Sequence, residues 1–340
     1  MKGNKAKKKK KLIYRIWPAV FSVLLIAATT FTLLDAFVFE RDVVALSDVT
    51  TTTTTSTSST STTATSSSST DDTTSTTASD TSTTDDSSTS SSSDVVVTDT
   101  SYEGNGISIT ITTLREYNTD IYVADIYLDD VSDLMAGLAE NSFGRNLKET
   151  TSAIAEECGA ILAINGDYYG FRDSGYVMRN GYLYRSTATG DSDQEILVLY
   201  SDGTMDIMYE SSVTAEELVE AGAVDIWSFG PGLVEDGEIA VSQNEEVDQA
   251  KTSNPRTAIG MVEPGHYIMV VADGRTSASA GLTLYELATI MQDLGCTEAY
   301  NFDGGGSSTM YFMGEVINNP TSNGKTITER AVSDIVYIAG

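Results

Sequence analysis

The sequence predicts a mixed β-sheet core with flanking helices, carried behind a single-pass N-terminal transmembrane helix. Three observations carry that prediction. From Val95 onward, apolar residues recur in short runs of strand period, separated by Gly, Asn and Asp turn signals. Three helical stretches interrupt these runs, each marked by a cap or a stop signal. Ahead of Val95 stand a charge-free apolar run and a long Ser/Thr tract, and neither reads as part of a folded core.

Residues 1–15 hold Lys2, Lys5, Lys7 to Lys11 and Arg15, and no acid. Ile16 to Leu34 is uncharged, and at helical rise it covers about 28 Å, close to the hydrocarbon thickness of a bilayer. Segment 16–39 is therefore assigned as a transmembrane helix and 1–15 as a basic cytoplasmic tail, which sends the C-terminal side out of the cell. A cleaved signal peptide is the rival reading, but its apolar core is shorter and no small-x-small site follows Leu34. Segment 40–94 is assigned as a disordered stalk. From 50 to 93 it is almost entirely Ser and Thr, with no apolar surface to offset the entropy of ordering. Such tracts are often O-glycosylated, and as a coil this one spans on the order of 35–40 Å. The expected location is the cell membrane, with domain 95–340 extracellular.

That domain holds 39 Asp and Glu against 11 Lys and Arg. A field of this sign argues against nucleic acid or anionic lipid as a partner. It also makes each arginine informative, because a site for an anion has to be built locally. Cys158 and Cys296 sit in similar contexts, each after a helix and before a strand ending in an Asn-x-Asp loop. They suit a disulfide if those strands are neighbours, and two buried free thiols otherwise. No Cys/His cluster suggests zinc, and no metal or cofactor is expected. His266, in a Glu263-Pro264-Gly265-His266 turn, is the only histidine and is poorly placed as a catalytic base.

Ile107–Ile111 and Ile121–Leu128 alternate as strands. A helix is predicted from Leu147 to Glu157 with Gly159 as its stop, then a strand over Ala160–Ile164 leading to Asn165-Gly166-Asp167-Tyr168-Tyr169. Gly181 marks a hairpin before Tyr182-Leu183-Tyr184, and 196–200 and 205–209 form another. Thr214 and Glu217 make a capping box for a short helix, and the chain turns sharply near Phe229-Gly230-Pro231. Thr257–Val262 and Tyr267–Ala272 are strands. A second capping box, Thr283 with Glu286, opens a helix that Gly295 closes, and Ala299–Phe302 is the next strand. This strand–helix–strand unit should leave its two strands parallel in one sheet. The loops after them, holding Asp273 and Arg275 and then Asp303 and Gly304-Gly305-Gly306-Ser307-Ser308, should share one sheet edge, where such folds bind ligands.

The residue types there suit phosphate and sugar. Glycines 304–306 free backbone N–H groups to form an anion nest, and Ser307 and Ser308 add hydroxyl donors. Arg256 and Arg275 suit a phosphate clamp, and Asp273 and Asp303 a carboxylate pair. Tyr168 suits a sugar platform, as does Tyr169. Asp167 reads as a turn residue.

Five stretches carry a resemblance: Ala163-Ile164-Asn165-Gly166-Asp167-Tyr168-Tyr169, Ser228-Phe229-Gly230-Pro231, Pro255-Arg256-Thr257-Ala258-Ile259-Gly260, Asp273-Gly274-Arg275, and Asn301-Phe302-Asp303 through Met310. In this order they resemble the phosphodiester glycosidase family over about residues 140 to 340. The resemblance implies an α+β fold and hydrolysis of a sugar-1-phosphodiester. It places Asn165, Arg256, Asp273, Arg275, Asp303 and the glycine loop in the site. The expected substrate is a phosphorylated cell-surface glycan or exopolysaccharide. Asp303 and Asp273 are the expected catalytic pair, in roles that could be exchanged. A non-catalytic glycan-phosphate-binding module, or a phosphodiesterase that cuts P–O with a metal on the aspartates, are the alternatives.

Overall fold

The structure is a computed structural model that describes residues 95–245 and 253–340, with the backbone of Val44–Ala45. The basic tail 1–15, the transmembrane segment 16–39 and nearly all of the stalk 40–94 lie outside the described residues. Val44–Ala45 pairs antiparallel with Ser142–Phe143, so this part of the expected stalk lies against the domain. Among the described residues no helix is long and apolar enough to cross a membrane.

In chain order the strands are β1 (Val96–Thr98), β2 (Ser101–Gly104), β3 (Ile107–Glu116), β4 (Thr119–Leu128), β5 (Leu134–Leu138), β6 (Ala160–Asn165), β7 (Val177–Arg179), β8 (Tyr182–Arg185), β9 (Glu195–Tyr200) and β10 (Met205–Tyr209). There follow β11 (Ala223–Trp227), β12 (Gly232–Glu235), β13 (Glu238–Ile239), β14 (Arg256–Glu263), β15 (His266–Ala272), β16 (Glu298–Asn301), β17 (Met310–Phe312), β18 (Glu315–Val316) and β19 (Asp334–Ala339). Among the described residues three α-helices join them: α1 (Thr151–Cys158), α2 (Ala215–Glu220) and α3 (Leu284–Asp293). Helix α1 starts later than predicted, because Thr150 caps it on the Ala153 N–H while Glu149 is still bridged to Val332. Gly159 ends it in the left-handed region, φ 66°. Both predicted capping boxes are formed, at Thr214 and at Thr283.

The strands make a nine-stranded sheet in the order β13-β12-β16-β14-β15-β4-β3-β2-β1 and two five-stranded sheets, β18-β17-β6-β19-β5 and β8-β7-β11-β9-β10. Every pairing between these strands is antiparallel, which corrects the expected mixed sheet. The strand–helix–strand unit does leave β15 and β16 pointing the same way. β14 runs antiparallel between them and takes the hydrogen bonds of both.

One core is shared by all three sheets. Ile109 and Ile126, Leu162 and Ile164, Leu197, Trp227, Ile259, Phe302 and Val336 belong to a single buried cluster. Helix α3 covers the other face of the nine-stranded sheet with Leu284, Leu287, Ala288 and Met291. Its leucines bury about 1.5–3 kcal/mol of transfer free energy each. Helix α1 covers the outer face around β6 and β19 through Ile154 and Ala155. This layering separates the cysteines. Cys158 is packed in the α1 layer and Cys296 in the α3 layer, on opposite sides of the shared core, and both are free thiols. The strands that follow them, β6 and β16, lie in different sheets, so the condition for a disulfide is not met. Burial raises both thiol pKa values, that of Cys296 to about 12.

Candidate active site

Loops from two different sheets cross at one cleft. β6 ends at Asn165 and β16 at Asn301. The Asp303 N–H donates to the Gly166 carbonyl at 3.3 Å, and Asn165 Nδ2 donates to the Asp303 carbonyl at 2.6 Å. Asn165 Oδ1 accepts from Thr257 Oγ1 at 2.8 Å and from the Thr309 N–H at 3.3 Å. With its amide engaged at both ends and no surface exposed, Asn165 ties the loops together. Its side chain, expected as a substrate contact, presents no surface to the cleft.

The Asp303 carboxylate is reached from solvent: its side chain is 15% exposed. Arg330 Nη2 donates to Asp303 Oδ2 at 2.6 Å and Ser307 Oγ to the same oxygen at 2.8 Å. Arg330 Nε donates to Ser307 Oγ at 2.8 Å, closing a three-membered ring of contacts. No side-chain donor among the described residues reaches Oδ1. Burial raises the Asp303 pKa, and Arg330 and Ser307 act against that rise. The cleft above it has a volume of about 240 Å³, and Lys148, Asp167, Tyr168, Phe171 and Arg330 line it with Asp303.

The glycines serve close approach more than an anion nest. A Cβ on Gly304 would stand 2.7 Å from the Pro255 carbonyl, and one on Gly306 would stand 2.1 Å from Ser322 Oγ. Gly305 has φ 65°, and a Cβ there would meet Arg275 Nη2 at 2.7 Å. The Gly305 N–H donates to the Pro255 carbonyl and the Ser307 N–H to Gly304, so two of the loop's amides face protein and not a ligand. Ser308 is fully buried and its hydroxyl finds no partner among the described residues.

Asp273 does not join Asp303 at the cleft. It is 4% exposed. Its Oδ1 accepts from Asn318 Nδ2 at 3.1 Å and the Asn319 N–H at 2.9 Å, and its Oδ2 from Asn319 Nδ2 at 2.9 Å. Asn318 in turn donates to the Ser308 carbonyl at 3.0 Å, so Asp273 braces the far end of the glycine loop. Arg275, at φ 63°, donates from Nε to Asn254 Oδ1 at 3.0 Å and from Nη1 to the Ser322 carbonyl at 2.8 Å. Its guanidinium lies behind Gly305. Arg256 is buried at the start of β14, with Nε on the Leu282 carbonyl at 3.0 Å. Asp167 caps the Tyr169 N–H at 2.8 Å, as a turn residue would.

Beneath the cleft lies a buried charge network. Arg179 Nη2 stands 2.6 Å from Asp334 Oδ2 and 3.1 Å from Asp167 Oδ2, between the rings of Trp227 and Tyr169. Two carboxylates share one cation, and burial pushes Asp334 up to about 7. Asp225, also buried in this region, is pushed to about 7.

A family model for phosphodiester glycosidases matches residues 158–339. The chain belongs to the phosphodiester glycosidase family. It is 34% identical over 202 residues to the SPbeta prophage-derived uncharacterized protein YomE of Bacillus subtilis, covering 58% of this chain and 30% of that protein. It is 26% identical over 191 residues to the mouse N-acetylglucosamine-1-phosphodiester alpha-N-acetylglucosaminidase, covering 52% and 36%. The chain thus spans about a third of the length of these relatives. In fold it is similar to the catalytic domain of the zebrafish N-acetylglucosamine-1-phosphodiester alpha-N-acetylglucosaminidase, which is auto-inhibited by its pro-peptide. The TM-score is 0.55 at 22% identity over 69% of this chain and 83% of that one. A hypothetical protein from Synechocystis has a TM-score of 0.50 at 15% identity, covering 69% and 62%.

Two residues of the cleft, Arg330 and Lys148, stand outside the motifs that the sequence offers. Arg330 belongs to a stretch without periodicity, 317–333. It reaches Asp303 only because β17 and β19 both pair with β6, which carries the connection between them back over the strand ends. The one available signal was that basic residues are scarce in so acidic a domain.

Proposed function

We propose that this chain hydrolyses the C1–O bond of a sugar-1-phosphodiester, with Asp303 as the base that activates water. The observation that carries the reading is the Asp303–Arg330–Ser307 ring at the floor of a solvent-open cleft. It puts one carboxylate and one guanidinium side by side, as attack at an anomeric carbon and retention of a phosphate require. Water gives a proton to Asp303 and its oxygen bonds to C1. The C1–O bond breaks with its electron pair on the phosphate oxygen, which leaves as a phosphate monoester. That leaving group has a second pKa of about 6 and needs little general-acid help, so cationic donors suffice on its side. Arg330 is the cation nearest the acid, with Arg275 behind the glycine loop. A raised pKa makes Asp303 a better proton acceptor, and direct attack by water inverts the anomeric centre.

The names of the mammalian relatives make the α-N-acetylglucosaminyl 1-(methyl phosphate) diester the first substrate to try. In labelled water, oxygen-18 should appear at C1 of the released sugar, and the sugar should first appear as the β-anomer. Label in the phosphate would overturn C1–O cleavage. We further propose that segment 16–39 anchors the chain and that the domain acts outside the cell on envelope or exopolysaccharide glycans. The basic flank and the uncharged run support this. Protease added to intact cells should remove the domain if it is exported, and an untouched domain would refute it.

A further inference from the structure

The cleft has a second cationic wall that the Asp303 chemistry does not use. Lys148 lines it, exposed, with Nζ 5.9 Å from the centroid of the Phe171 ring. Phe171 stacks on Tyr168 with centroids 4.6 Å apart, and the Arg172 guanidinium lies 5.9 Å from the Tyr168 centroid. Neither cation has a carboxylate partner among the described residues. Arg172 donates only to the Ser228 carbonyl, at 2.8 Å, and otherwise rests on aromatic rings. The acids beside these residues in the chain are engaged elsewhere. Glu149 accepts from the Glu140 N–H at 2.6 Å, and Asp173 pairs with Arg145. In a domain with 39 acids, two cations held by aromatic faces and left without counter-charge are an unusual arrangement. A cation on an aromatic face keeps its full charge for a passing anion.

We propose that Lys148, beside the Tyr168–Phe171 shelf, forms a second anion subsite that holds a further phosphate on the aglycone side of the scissile diester. The substrate class is then a glycan whose phosphodiesters repeat along the chain, and not a sugar capping a single phosphate. This rests on the C1–O hydrolase reading for its orientation only. The default expectation is the opposite, because each added negative charge on a ligand is repelled by the domain's net field. A gain in affinity from an extra phosphate therefore has to come from local cations.

The test compares two ligands on the full chain. One is the methyl phosphodiester named above. The other is the same sugar-1-phosphate esterified to glycerol 3-phosphate, so that a second phosphate follows the first. Binding is measured by calorimetry on the Asp303→Asn chain, where it is read without turnover. The glycerol phosphate ligand should bind about tenfold tighter. The added Lys148→Ala change should remove that ratio, Lys148→Arg should keep it, and 0.5 M salt should shrink it. Equal affinities, or a preference that survives Lys148→Ala, would overturn the subsite. Turnover of the methyl diester by the unmodified chain tests the hydrolase reading separately. If that turnover is absent, the binding ratio still decides whether Lys148 holds a second phosphate.

Discussion

At Asp303 two effects oppose each other. Burial raises its pKa, while Arg330 at 2.6 Å and the Ser307 hydroxyl pull it back. If Asp303 is the base, activity needs it ionised, so activity falls as pH drops through a pKa above the ordinary aspartate range. Removing Arg330 takes away a lowering influence, so the acidic limb of kcat/KM should move to higher pH in Arg330→Gln. The rate should also fall about 10²-fold, the usual scale for losing one charged contact to a developing anion. A pH–rate profile reads both effects, and a limb that stays in place would show that Arg330 does not sense the Asp303 charge. Asp303→Asn removes the proton acceptor and keeps its shape. Turnover should drop about 10²–10⁴-fold with an unchanged melting temperature. Asp273→Asn separates the two aspartates: as a brace on Asn318 and Asn319, Asp273 should lower stability more than it lowers the chemical step.

Elements supply the rigidity these residues depend on. Arg179 on β7 reaches Asp334 on β19 and Asp167 beyond β6, so it joins the two five-stranded sheets under the cleft. Arg179→Ala leaves two carboxylates buried without a cation and should cost about 3–5 kcal/mol, read by urea unfolding. A loss under 1 kcal/mol would mean that water or proton uptake replaces the guanidinium. Much at this scale was legible beforehand. Both capping boxes, the hairpins and the strand–helix–strand unit were readable because each rests on local chemistry: Thr with Glu three residues on, Gly at a turn, apolar period. What was not legible depends on contacts distant in sequence. Nothing local says that β14 lies between β15 and β16, that Asp273 turns inward to Asn318, or that Arg330 folds back on Asp303. Nor does a triple glycine announce whether its amides face a ligand or whether, as here, its missing side chains make room for Pro255, Arg275 and Ser322.

The whole molecule combines a net charge of −29 with several carboxyls whose pKa is raised by burial. Asp225 and Asp334 are both pushed to about 7, and Glu195, Asp206 and Asp303 are raised as well. An acid whose folded pKa lies above its unfolded value holds more protons folded than unfolded between the two values. Stability then falls as pH rises through that window. For Asp225 and Asp334 the window runs from the ordinary aspartate range to about 7. Acidification also relieves the repulsion among the remaining acids. The domain should therefore be more stable at pH 5.5 than at pH 8, by roughly 2 kcal/mol for each of the two fully buried acids. At this size each is worth about 4–8 °C in melting temperature. A thermal scan across pH 5 to 8 checks the direction. Carboxylates that gain salt bridges on folding would produce the reverse slope. In Asp225→Asn the slope should flatten, because that variant keeps the buried shape and the Asn180 N–H neighbour but has no proton to release. A slope unchanged in Asp225→Asn would assign the effect to Asp334 and the surface acids instead.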